Sequence, residues 1–132
     1  VANPKLLAGL FKVKDSYNID AIAIAVGTAA MRDQAYKNAC ADKVKISRTQ
    51  LAQDLKNLGW KVLDSQANFV LATPSEGNAE SIYLGLKERG ILVRYFKQPG
   101  LEDKLRITIG TDEQNQMLIE ALVSLKKEVT RN

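Results

Sequence analysis

The sequence predicts an α+β fold: N-terminal helices including one long helix, then a small mixed or antiparallel sheet (βαββα) with helices packed on one face. Three observations carry this. A stripe at helical spacing, apolar except for Ser47, runs from Tyr36 to Leu58. Leu105-Arg106-Ile107-Thr108-Ile109 alternates strictly, as a strand with one buried face does. The 132 residues are 45% hydrophobic and 26% charged, which suits a single domain, 1–132, with one core.

Pro4 suits the first turn of a helix over 4–14, where Leu6, Leu7, Leu10, Phe11 and Lys14 keep a 3–4 spacing. Asp15-Ser16-Tyr17-Asn18 reads as a polar connector, with Tyr17-Asn18 either a binding element or a simple turn. Asp20 is placed to cap the very apolar segment 21–31. The Ile-Ala alternation there suggests a strand, but the alanine content favours a helix. Asp33 caps the long helix, 34–58, whose stripe runs through Tyr36, Cys40, Val44, Ser47, Leu51, Leu55 and Leu58 to Gly59 as C-cap. Ser47 with Gln50 offers a capping box that would split it, and the unbroken stripe argues against the split. Such a helix is roughly 37 Å long at about 1.5 Å per residue, a length best explained by packing against something outside the domain. Cys40, on the stripe, is expected to be an inert core residue.

After Gly59 the pattern turns to short β-like runs, 60–63 and 68–72. Pro74-Ser75-Glu76-Gly77 reads as a turn, and Asn78 caps a helix over 79–89 that ends at Gly90. A strand over 91–96, a loop through Pro99-Gly100 and the strand 105–109 follow. Thr111 with Gln114 makes a capping box for the last helix, 112–128.

Composition removes several kinds of chemistry. With no histidine, a Ser-His-Asp triad, a Cys-His pair and any His-containing zinc site are absent from this chain. No spaced acidic loop of a metal site appears, and no metal is expected. No apolar run approaches the roughly 18–20 residues of a membrane-spanning helix. The lone Cys40 cannot form an internal disulfide, which points to a reducing compartment. A net charge of +4, not gathered into one block, is too mild to name nucleic acid as a partner. The chain opens Val1-Ala2-Asn3-Pro4 without an initiator Met, as a processed or excised piece does.

Strand alternation yields the one candidate site. If the β-branched residues of 91–96 and 105–109 face the helices, Arg94 and Arg106 emerge together on the opposite face. Two guanidinium groups on neighbouring strands make a bidentate site for a carboxylate or phosphate. The alternative is a pair of solvent-facing arginines in surface ion pairs. Gly77-Asn78 and Gly110-Thr111 precede helices without a Walker-type or dinucleotide-binding pattern, so capping explains them. Lys43, Lys45, Lys61 and Lys97 are scattered, and none is marked as a nucleophile.

RGILVR (89–94) followed by GLEDKLRITIGT (100–111) resembles the C-terminal segment of histidinol-phosphate aminotransferases, PLP-dependent enzymes of fold-type I. NPKLLAGLFKVKDSYNID (3–20), LGWKVLDSQANFVL (58–71) and TDEQNQMLIEALVSLK (111–126) are similar to the family's flanking segments in the same order. The resemblance implies that the chain is the C-terminal small domain, the PLP-binding large domain being absent. It implies that Arg94 and Arg106 hold the substrate phosphate, and gives Asn68 and Phe69 a structural role. In the intact enzyme it implies pyridoxal 5'-phosphate as cofactor and amino transfer between glutamate and imidazole-acetol phosphate in histidine biosynthesis. It also implies a cytoplasmic homodimer with no nucleic-acid or membrane partner. For this piece it implies no catalytic residue, no bound cofactor and no activity alone. Other readings are a related aminotransferase, a phosphothreonine-type decarboxylase, or a non-enzymatic module binding nucleic acid or a small ligand.

Overall fold

The structure, a computed structural model, describes residues 3–15, 19–75 and 78–130, with backbone alone at 129 and 130. Ser16-Tyr17-Asn18 of the connector and Glu76-Gly77 of the expected turn lie outside the described residues. The chain divides into two units, Val1–Lys37 and Asn38–Asn132.

The first unit is helical. Helix α1 (Pro4–Val13) starts where the Asn3 side chain accepts the Lys5 N–H at 3.0 Å. Helix α2 (Ala21–Arg32) starts where Asp20 accepts the Ala23 N–H at 2.8 Å. Local capping thus decides the ambiguous Ile-Ala segment for helix. Neither helix buries a residue. Leu6, Leu7, Leu10 and Phe11 share one side of α1 by their spacing, yet are 59, 42, 49 and 63% exposed.

Helix α3 (Gln34–Asn57) is continuous, so the Ser47–Gln50 box does not split it. Asp33 accepts the Tyr36 N–H at 3.0 Å. The stripe is buried only in its last part: Leu51 and Leu55 are fully enclosed, and Val44 and Leu58 pack against them. Cys40 is exposed, which corrects the expectation of a core thiol. The physical reason is length. The strands beneath α3 are two to five residues long, and the core they build reaches only from Val44 onward. Gly59, at φ +87°, ends α3 in a Schellman motif: Trp60 N–H donates to the Leu55 carbonyl at 3.0 Å and Gly59 N–H to Lys56 at 2.9 Å.

Strands β1 (Lys61–Val62), β2 (Phe69–Thr73), β3 (Arg94–Tyr95) and β4 (Leu105–Thr108) form one antiparallel sheet in the order β1-β2-β4-β3. Helix α4 (Ala79–Glu88) carries the chain from β2 to β3, and β4 enters between them as in a split βαβ unit. Helix α5 (Asp112–Thr130) begins with the expected capping box, Gln114 N–H on Thr111 Oγ1 at 3.3 Å and Thr111 N–H on Gln114 Oε1 at 3.0 Å. Val70, Ala72, Leu105, Ile107 and Ile109 cover one face of the sheet, and α3, α4 and α5 seal it with Leu51, Leu55, Leu86, Leu118 and Leu122. The helices therefore pack on one face, as the sequence predicts.

The strand expected over 91–96 pairs only at 94–95. Gly90 closes α4 in a second Schellman motif, and the Ile91 N–H is engaged by the Leu86 carbonyl at 2.9 Å, so it cannot serve a ladder. The alternation survives the shortening: Ile91, Val93 and Tyr95 pack against the core while Leu92 and Arg94 are exposed.

Candidate functional site

Arg94 and Arg106 are register partners across β3 and β4, on the sheet face away from the helices. Side chains directly opposite in such a pair have Cβ atoms only about 5 Å apart. Among the described residues no carboxylate lies within ion-pair distance of either guanidinium. Aromatic rings flank them instead. The Arg94 Cζ lies 5.3 Å from the centre of the Phe96 ring, and the Arg106 Cζ lies 5.2 Å from Phe69 and 6.0 Å from Phe96. These are cation–π distances. The sequence places both arginines on this face by parity, and the structure brings them together there.

The two rings reach Arg106 diagonally. In the β2–β4 register Arg106 faces Leu71, two pairs along from Phe69 opposite Thr108 and so on the same face. Phe69 shares the open face with Leu71 because Val70 and Ala72 point into the core. That parity was readable in Asn68-Phe69-Val70-Leu71-Ala72, but the neighbour it delivers to Phe69 depends on β4 lying between β2 and β3. Asn68 serves the sheet through its backbone, its carbonyl accepting the Ile109 N–H at 2.9 Å.

A stapled turn sets Phe69 in place. Arg48 of α3 donates through Nη1 to the Ala67 carbonyl at 2.7 Å. Ser65 Oγ donates to the Phe69 carbonyl at 2.6 Å and accepts the Ala67 N–H at 3.1 Å. Both close the bend that delivers the chain into β2. Arg48 was not singled out from sequence, and no local pattern marks it.

Two lysines near the arginine pair are engaged with carboxylates. Lys104, two residues before Arg106, donates to the Gly100 carbonyl at 3.0 Å and pairs with Asp103. That hydrogen bond from Lys104 holds the Asp103 carboxyl below its ordinary range. Lys97 pairs with Glu80 at 2.5 Å, and the hydrogen bond to Glu80 raises the Lys97 ammonium above its usual value. Every described lysine except Lys104 is solvent-exposed, so none has the desolvated surroundings of a nucleophilic amine. Among the described residues no cluster of three metal-ligating side chains occurs, and no helix is long and apolar enough to cross a membrane. Two clefts open elsewhere, one beside Arg48, Lys56 and Ser65 and one between Val93 and Leu118; neither includes Arg94 or Arg106. Both arginines are solvent-exposed on their sheet face.

Residues 1–122 match the family model of aminotransferase class I and II. Histidinol-phosphate aminotransferase 1 of Nostoc sp. is 70% identical over 125 residues, which are 95% of this chain and 35% of that protein. The chain thus spans about a third of the length of that curated relative. Among solved structures, the histidinol-phosphate aminotransferase of Clostridium acetobutylicum superposes with a TM-score of 0.83 at 22% identity, covering 96% of this chain and 39% of that one. The Sinorhizobium meliloti enzyme of the same name, solved in complex with pyridoxal-5'-phosphate, gives 0.73 at 23% identity, covering 92% and 35%. At these identities the two structures speak for the fold, and the extent of the family match carries the assignment. This chain belongs to the class I and II aminotransferase family.

Proposed function

We propose that the chain is the C-terminal, substrate-recognising small domain of a histidinol-phosphate aminotransferase, in which Arg94 and Arg106 grip the substrate phosphate. The observation that carries this is the arginine pair itself. Two guanidinium groups stand side by side on an open face, flanked by phenyl rings and facing no carboxylate among the described residues. Ten N–H donors in two planar forks suit the three oxygens of a phosphate monoester better than a single carboxylate. The name of the Nostoc relative supports the choice of substrate within the family.

The reaction would move an amino group between glutamate and the ketone of imidazole-acetol phosphate, with 2-oxoglutarate and histidinol phosphate as the other pair. Pyridoxal phosphate, when bound, supplies the electron sink for that chemistry. The described residues of this chain do not fit its seat, because their lysines lie in solvent or in surface ion pairs. The cofactor's lysine, its ring partner and its phosphate cradle would come from the remainder of a whole enzyme, which we take to be a cytoplasmic homodimer. The part left to this chain is recognition: holding the substrate's anionic end in register while the open face is covered. A nucleic-acid role fits less well, since the rings that would stack on bases are already occupied by guanidinium groups.

Steady-state kinetics of the full-length protein test the proposal. Charge-assisted hydrogen bonds are worth about 1.5–3 kcal/mol, so Arg94→Ala and Arg106→Ala should each raise KM for histidinol phosphate about tenfold or more. The same variants should change KM far less for histidinol, which lacks the phosphate. Unchanged kinetics in both variants would reject the phosphate grip, and a preference for a carboxylate substrate would move the protein to another branch of the family.

A further inference from the structure

We propose that Phe96 is a positioning residue of the anion site: its ring holds both guanidinium groups in place without neutralising either. This rests on the reading of Arg94 and Arg106 as the anion grip and adds a residue to it. Among the described residues Phe96 is the one ring within cation–π distance of both guanidinium groups, at 5.3 and 6.0 Å from ring centre to Cζ.

The reasoning starts from repulsion. Like charges directly opposite on neighbouring strands destabilise the pair. Both are long side chains whose rotamers splay apart when nothing holds them, and a splayed pair must be gathered again before it can share one ligand. A carboxylate between them would gather them, but it would cancel the charge the ligand needs. A phenyl ring gathers them differently. The negative face of its quadrupole attracts a cation while its net charge is zero, so the site keeps both positive charges. A guanidinium over a ring has one flat face covered, and its N–H groups, which lie in the plane, remain free to donate.

The position of Phe96 follows from the fold. It comes directly after β3, two residues from Arg94, and so continues the open face. The next residue, Lys97, is tied to Glu80 in the first turn of α4. That link anchors the chain just beyond the ring. Phe69 supports Arg106 from the other side, while among the described residues Arg94 has its aromatic contact from Phe96 alone.

The test is a calorimetric titration of the full-length protein with inorganic phosphate at low ionic strength, with thermal unfolding of each variant measured in parallel. Exposed cation–π contacts predict that Phe96→Leu weakens phosphate binding about three- to tenfold, and that Phe96→Tyr, which keeps the ring, stays within about twofold of the parent. Arg94→Ala and Arg106→Ala serve as the separate check on the site. Loss of binding in the arginine variants with undiminished binding in Phe96→Leu overturns the positioning role and leaves the grip standing. Equal weakening in Phe96→Leu and Phe96→Tyr also overturns it, since a ring-based role requires the tyrosine to rescue. Phosphate binding unaffected by either arginine variant overturns the grip itself.

Discussion

Arg48 and Arg106 show how differently one residue type is used within the same unit, and why only one of the two roles is legible in the sequence. Arg106 lies in a strictly alternating strand, and alternation fixes a side chain's direction by geometry alone. Its face, and that of Arg94, could be read from the sequence. Arg48 reaches across to the Ala67 carbonyl from a helix, a contact that depends on tertiary placement and leaves no local trace. Phe69 stands between these cases: its direction was readable, its arginine neighbour was not. Arg48 is half-buried and makes a charge-assisted bond to a backbone carbonyl. Arg48→Ala should therefore destabilise the protein by about 1.5 kcal/mol, the low end for such bonds because its other contact is exposed. Urea unfolding measures this as a lowered midpoint with an unchanged slope, and an unshifted midpoint would show that the turn holds without its staple.

Helix boundaries were legible because their signals are local. Asp20, Asp33, Asn78 and the Thr111–Gln114 box cap helices where the sequence places them, and Gly59 and Gly90 end two of those same helices, α3 and α4. Burial was less legible. A helical stripe gives the direction of a face and not whether anything lies against it, which is why Cys40 and the α1 leucines are exposed. β3 is also shorter than the sequence predicts, because an α4 closing motif claims a backbone donor that a longer strand would need. Gly59 tests the element scale. Its φ of +87° is strained for any L side chain, and an added Cβ would meet Ser75 at 3.2 Å. Gly59→Ala should cost about 1–2 kcal/mol by removing the left-handed C-cap of α3. Chemical denaturation gives the value directly; a neutral result would mean that the helix end can close in another way.

For the whole molecule, strand order is the property that gathers separate residues on one face. Inserting β4 between β2 and β3 sets Arg106 between Phe69 and Phe96 and directly across from Arg94. Three helices close the opposite face with an apolar core, so the arginine face is left open by the packing. The family pattern in the sequence implied which two arginines matter. Only the assembled sheet shows how they are held. The most direct check is NMR of the arginine side-chain Nε–Hε groups during titration with inorganic phosphate. The Arg94 and Arg106 signals should shift together and saturate, while those of Arg48 and Arg89 stay in place. Uniform small shifts at every arginine, or none at these two, would contradict the reading of this face as an anion site.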